Sequence, residues 1–158
     1  MAGQILGRAA VLSGKNAVQT QGYGAEARGS VAKSEVIISD GKIGYPYVRK
    51  FDILVTMSRI ALEKHLSDLK NSGVLLVDSS CAENIPKTEA KTYQIPAIET
   101  AKKEFGVSIY ANMIMLGALI KKTSLIDEDS VEKAIIECVP KRTLEKNLKA
   151  FKKGLILK

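Results

Sequence analysis

Apolar residues recur along this chain with two different periods, and the switches between them mark the elements. Ile5, Leu6, Ala9, Ala10 and Leu12 cluster on one side of a helix predicted over Gln4 to Ser13, which Gly14 ends. Lys15 to Gln21 and Val31 to Ser39 alternate well enough for strands, and Asp40-Gly41 predicts a hairpin turn into Lys42-Ile43-Gly44. Phe51 to Met57 is almost continuously apolar, the pattern of a strand covered on both faces. Ser58 then opens a helix over Arg59 to Leu69, with Ile60, Leu62, Leu66 and Leu69 on its buried side, stopping near Asn71-Ser72-Gly73.

Val74 to Val77 reads as the next buried strand, closing on Asp78-Ser79-Ser80, and Lys91 to Ile95 as another short one. Pro96 can begin a helix that runs to Phe105 and ends at Gly106. Tyr110 to Lys122 is a strongly apolar helix in which Gly117 permits the close approach of a neighbour. Asp127 to Val139 is helical with three acids at the positive end of its dipole. After Pro140, Leu144, Leu148, Phe151 and Leu155 form the stripe of a last amphipathic helix.

Strands alternating with helices, several of them buried on both faces, define the class: α/β, a Rossmann-like three-layer sandwich with a mostly parallel sheet. Residues 1–158 fit a single domain, without internal repeats or a low-complexity linker. With 46% hydrophobic and 26% charged residues the composition is ordinary for a globular chain.

Charge changes the picture at one place. The formal net charge of +7 comes mostly from residues 141–158, which hold seven basic side chains against one acidic. The basic residues there are lysines with a single arginine, so a solvated or subunit-facing helix is expected and nucleic-acid binding is not. The longest uncharged run, Phe105 to Ile120, contains Ser108, Tyr110 and Asn112 and is too short for a membrane span. No signal peptide pattern is present, so the expected location is cytoplasmic.

Candidate chemistry is sparse. Cys81 and Cys138 are too few and too isolated for a disulfide framework, a zinc site or an iron–sulfur cluster. His65 lies in an amphipathic helix and is expected at the surface, without a catalytic role. No phosphate-binding G-x-x-x-x-G-K-[ST] and no HExxH occur. Asp52 and Asp78 flank strands, where a carboxylate can bind a ribose or metal, but a turn or cap role suits Asp78 better.

The most distinctive stretch is Val18 to Ser39, where Gly22, Gly24 and Gly29 punctuate a loop whose fixed charges are Glu26 and Arg28. Spacing alone allows a plain connection between two strands, or a loop approached closely by a ligand or another chain. A guanidinium such as that of Arg28 suits a carboxylate or phosphate; Arg28 and Glu26 can equally stitch the loop together.

QTQGYGAEARGS, the following strand ending in VIIS, and Tyr45-Pro46 together resemble the gamma subunit or domain of the 2-oxoacid:ferredoxin oxidoreductases. Asn112 to Leu119 is similar to that family's NM-x-x-LGAL helix, and Asn147 to Gly154 to its closing N-L-x-AF-x-x-G. Ala25 and Ser30 stand where the family often has proline and a second glycine. The likeness runs from about residue 2 to the end. It implies the gamma part of an enzyme that oxidatively decarboxylates a 2-oxoacid to an acyl-CoA and passes electrons to ferredoxin. The wording GYGAEARGS favours the 2-oxoglutarate or branched-chain type.

On this resemblance the chain is not catalytic alone and binds no cofactor itself. Thiamine diphosphate, coenzyme A and iron–sulfur clusters belong to the complex, with alpha, beta and ferredoxin-like delta subunits as partners. Tyr23, Gly24, Glu26, Arg28 and Gly29 are then a cofactor- or partner-facing loop, and Asn112 opens a helix beside it. A stand-alone nucleotide- or coenzyme-A-binding regulatory module is the alternative, and neighbouring genes separate the two.

One departure from the family stands out. Its members usually begin with an apolar strand and a glycine-rich loop, whereas here the first helix already starts at Ala2. In a doubly wound sheet that strand would lie between Ala17–Gln21 and Phe51–Met57. An unfilled slot of about 9–10 Å between them is expected, with roughly a dozen or more residues ahead of Met1.

Overall fold

The structure, a computed structural model, describes residues 1–22 and 32–157. Six helices and five strands are formed among them: α1 (Ala2–Leu12), β1 (Asn16–Gly22), β2 (Lys33–Ser39), β3 (Phe51–Thr56), α2 (Arg59–His65), β4 (Leu69–Asp78), β5 (Lys91–Ile95), α3 (Ala97–Phe105), α4 (Ala111–Thr123), α5 (Glu128–Cys138) and α6 (Lys141–Ile156). Strands β3, β4 and β5 form a parallel sheet in that order, while β1 and β2 pair antiparallel as a sheet of their own. The α/β class with a parallel sheet flanked by helices is as expected.

Strand β4 shows why the parallel sheet is apolar on both sides. Leu75 and Val77 point into one core with Leu54, Leu62 of α2, Leu69, Cys81 and Ala90. Leu76, between them in sequence, points into the other with Ile95, Ile5 of α1 and the apolar faces of α3 to α6. All three β4 residues are fully buried, so no polar position is left in the strand's centre. Phe151 of α6, also fully buried, closes the larger core.

Helices α4 and α6 meet at two glycines. A Cβ at Gly117 would overlap the carbonyl oxygen of Phe151 and stand 3.0 Å from Gly154 Cα. One at Gly154 would overlap the carbonyl oxygen of Ile114. The close approach anticipated at Gly117 is thus real, and Gly154 is its counterpart on the other helix.

Helix boundaries follow local signals. Ser58 Oγ accepts from the Ala61 backbone N–H at the start of α2, and Asp127 accepts from the Ser130 N–H at the start of α5. Gly106 ends α3 at φ +76°, a left-handed conformation that suits glycine.

Four expectations are corrected. Lys42-Ile43-Gly44 forms no strand, because β2 takes β1 as its partner; Asn16 donates instead to the Gly41 carbonyl and Lys15 pairs with Asp40 at 2.6 Å. The helix after Ser58 stops at His65 and passes through a 3-10 turn at Leu66–Asp68. Strand β4 begins at Leu69 rather than Val74. Phe51 faces Leu69 but Ile53 already faces Val74, so residues 70–73 bulge. The bulge is held by Lys70 on Asp52 at 2.6 Å and by Gly73, where a Cβ would lie 2.8 Å from the Asp52 carbonyl oxygen. Ile60, assigned above to the buried side, is 64% exposed.

Strands β1 and β3 lie in separate sheets and do not pair with each other, so among the described residues each has one edge without a strand partner. Helix α1 holds the β1–β2 hairpin to the rest, packing on both of its strands and on α5.

Candidate functional site

The five loop residues singled out by sequence, Tyr23, Gly24, Glu26, Arg28 and Gly29, lie outside the described residues. Their mounts are described. Residues 23–31 connect the last pair of the antiparallel ladder, Gly22 opposite Lys33, so the glycine-rich stretch is the hairpin connection between β1 and β2. Below it Gln19 Nε2 donates to Ser34 Oγ at 2.9 Å, and Lys33 pairs with Glu35 at 2.7 Å. Gly3 of α1 lets the helix press on this end of the hairpin, since a Cβ there would stand 2.9 Å from Ser34 Cβ. The described end of the hairpin ladder is therefore docked against the first turn of α1.

Asn112 sits in the first turn of α4, after the 3-10 turn Ser108–Tyr110. Its Oδ1 is buried and accepts no hydrogen bond from the described residues. A buried acceptor without a donor is costly, so this oxygen is a candidate to accept an N–H from a group beyond the described residues. No hydrogen bond or ion pair among the described residues ties Asn112 to Gly22 or Lys33.

The carboxyl ends of the parallel strands, where ligands collect in open α/β sheets, carry a second group of polar residues. Asp78, 1% exposed, accepts from Ser80 N–H at 3.0 Å, Ser80 Oγ at 2.6 Å and Ile98 N–H at 2.9 Å. Both carboxylate oxygens are used, so Asp78 fastens the end of β4 to the start of α3, the capping role that suited it best. Next to it an open depression of about 280 Å³ is lined by Arg59, Ser80, Cys81, Glu83 and Asn84. Arg59 is held there by Glu63 at 2.6 Å and by the Glu83 carbonyl oxygen. Thr56, at the end of β3, is 2% exposed, and among the described residues its Oγ1 is the other buried side-chain oxygen without a partner. Sequence reasoning did not single out Thr56 or Arg59; a threonine ending an apolar strand just before a helix cap was the only signal.

The remaining titratable candidates do structural work. His65 stacks edge-on against Phe51, with centroids 6.2 Å apart, and burial with Lys33 and Lys64 nearby pushes its pKa down. Burial, then Glu137, pushes the Cys138 thiol up. Cys81 is buried. Among the described residues no group of three or more His, Cys, Asp or Glu converges in a way that could hold a metal ion. None of the helices is long and apolar enough to cross a membrane.

Comparison with known proteins gives this arrangement its class. Residues 1–156 match the family profile described as pyruvate ferredoxin/flavodoxin oxidoreductase, and the chain belongs to that family. It is 50% identical to the 2-oxoglutarate synthase subunit KorC of Methanocaldococcus jannaschii, covering 98% of this chain and 84% of the relative. The subunit of the same name from Methanothermobacter thermautotrophicus is 45% identical over 98% of this chain and 85% of its own. Among solved structures, the gamma subunit of a keto/oxoacid ferredoxin oxidoreductase from Geobacter sulfurreducens superposes with a TM-score of 0.84 at 42% identity, covering 97% of this chain and 86% of that one. The resemblance read from the motifs is borne out, including its gamma assignment.

Proposed function

We propose that this chain is the gamma-type subunit, folded as one domain over residues 1–158, of a cytoplasmic 2-oxoglutarate:ferredoxin oxidoreductase. The complex would convert a 2-oxoacid and coenzyme A to an acyl-CoA and carbon dioxide, with ferredoxin taking the electrons. The observation that carries the substrate is the 50% identity to a 2-oxoglutarate synthase subunit across nearly the whole chain. Thiamine diphosphate and iron–sulfur clusters are assigned to companion alpha, beta and delta chains. This chain's two cysteines stand on different elements, Cys81 after β4 and Cys138 at the end of α5, a donor set that does not suit a cluster.

Its part is to complete an interface. Tyr23, Gly24, Glu26, Arg28 and Gly29 present the hairpin end to the partner subunits, and Arg28 meets a carboxylate or phosphate there. Asn112 receives, through its orphaned Oδ1, an N–H donor from a neighbouring chain.

Purifying the chain from its own cells tests this. Alpha and beta subunits should come with it in stoichiometric amount, and 2-oxoglutarate should reduce ferredoxin only when all are present. Arg28→Ala should weaken assembly or turnover while leaving the melting temperature of the isolated chain unchanged. A chain that purifies alone, with no companion genes alongside, would overturn the proposal in favour of a free-standing coenzyme-binding module.

A further inference from the structure

Helix α6 carries a second pattern, opposite its apolar stripe. Arg142, Lys146, Lys149 and Lys153 recur at spacings of four, three and four, which lines them up along one side over about 16 Å. Among the described residues two cations of this helix find carboxylates: Lys153 meets Glu104 of α3 at 2.7 Å, and Lys152 meets Glu132 of α5 at 3.3 Å. Arg142, Lys146 and Lys149 are exposed or nearly so and have no ion-pair partner among the described residues, and the one acid on α6 is Glu145. Glu104 shows how closely the charges gather. The hydrogen bond from Lys153, with Lys149 and Lys103 behind it, holds its carboxyl below the usual range.

A row of unmatched cations on a folded helix is half of an electrostatic contact, and its surroundings say which kind of partner supplies the other half. The turn Ser108–Tyr110 touches both α3 and α6. It displays Ile109 at 72% exposure, with the preceding Val107 at 49%. Two aliphatic side chains have no use against a phosphate backbone, and a nucleic-acid reader would bring arginine forks or stacking rings. Here the stripe is three lysines and one arginine, and the one aromatic ring on α6, Phe151, is fully buried. A protein surface with a row of carboxylates and an adjoining apolar patch matches both features. We propose that the α6 stripe, with Val107 and Ile109 at its edge, is a docking face for such an acidic protein. The charges steer the approach and the aliphatic pair gives it purchase. Permanent interfaces deplete charge at their centre, so this contact is a reversible one. The inference goes beyond the assembly proposed above, since it draws only on this chain's own surface.

The test uses the full chain and three labelled probes: an acidic amphipathic peptide of glutamate and leucine, a short DNA duplex, and phosphatidylglycerol vesicles. The peptide should bind most tightly, and rising salt should release it. The double variant Lys146→Glu, Lys149→Glu should weaken peptide binding by about tenfold or more. Lys64→Glu with Lys87→Glu changes net charge equally at residues outside α3 and α6, and should leave binding within about twofold. Lys146→Gln with Lys149→Gln, which keeps helix propensity, should fall between, and unchanged melting temperatures would show that folding is intact. Val107→Ser with Ile109→Ser should weaken binding without changing its salt dependence. Equal losses in the two charge-reversal variants, absence of peptide binding, or tighter binding to duplex or vesicles would each overturn the proposal.

Discussion

The β1–β2 hairpin and the β3–β4–β5 sheet each contain a short apolar run, Val36-Ile37-Ile38 in one and Leu75-Leu76-Val77 in the other, yet these runs end in different environments. Leu75, Leu76 and Val77 of β4 are completely buried, whereas Val36, Ile37 and Ile38 of β2 are only partly so, and neither hairpin strand contains a fully buried residue. What differs is cover. The parallel sheet has helices on both faces, while the hairpin rests on α1 and keeps its own separate ladder. Strand composition says that a segment can be pleated; the number of helices laid over it decides how much stability it contributes. The rigid region then serves as the mount, and the lightly held hairpin carries the loop assigned to the partner subunits.

The sharpest way to break that contrast is a pair of truncations. Leu76→Ala should cost about 2–5 kcal/mol, the usual range for a buried large-to-small change. Ile37→Ala, on the partly covered hairpin, should cost about 1 kcal/mol. Denaturant unfolding of both variants measures the difference, and equal losses would mean that the hairpin is as well packed as the sheet.

Glycines give the next largest separation. Gly117→Ala and Gly154→Ala should each destabilise by about 1–3 kcal/mol through overpacking, although alanine in a helix is ordinarily better than glycine by about 1 kcal/mol. Gly22→Ala should stay within about 0.5 kcal/mol of the parent, because among the described residues a Cβ there meets nothing nearer than Lys33 Cε at 3.8 Å. Thermal melts of the three variants decide it. A stabilised Gly117→Ala would mean that α4 and α6 are not in backbone contact.

Asp127→Ala removes a cap on the well-packed side and should cost about 1 kcal/mol at neutral pH. The bond from Ser130 N–H holds the Asp127 carboxyl below its ordinary value. Its stabilisation is therefore present above the unfolded carboxylate value and is lost as pH falls through the folded one. The variant and parent should converge in stability in acid; a gap that persists there would point to a role other than capping.

These cases also show where the chain could be read in advance. Ser58, Gly106 and Asp127 act through their own turn or the next one, and such signals survive in a string of letters. Leu54, Leu75, Leu76 and Val77 were legible as doubly covered strands because no polar position interrupts them. The extension of β4 back to Leu69 was not legible, since Asn71-Ser72-Gly73 spells a loop and becomes a bulge only through Asp52, Lys70 and the Asp52 carbonyl. Lys42 to Gly44 failed as a strand because a better partner for β2 lay some twenty residues upstream, which local pattern cannot weigh. The glycine-rich stretch was legible as a motif, and the structure adds what it is mounted on. That Thr56 and Asn112 hold side-chain oxygens without a donor among the described residues is a tertiary fact that local pattern does not spell out.

The smallest effect tests where the two regions feel each other. His65 lies on α2, beside the parallel sheet, yet Lys33 of the hairpin is among the charges that lower its pKa, after burial and ahead of Lys64. A histidine whose folded pKa lies below the unfolded value of about 6.5 binds its proton more readily when the chain is unfolded. Stability should then decline as pH falls from about 6.5 through the folded value, and level off below it. His65→Gln should flatten that part of the profile. Lys33→Gln should make it shallower, because it removes a repelling cation and frees Glu35, whose carboxylate favours the charged imidazole. The shift is modest and partly screened by solvent, so the measurement is a proton NMR titration of this single histidine beside pH-dependent melts. A His65 pKa at or above 6.5 in the parent, or one unmoved by Lys33→Gln, would show that the hairpin does not approach α2 in solution. The two regions would then be coupled through α1 alone.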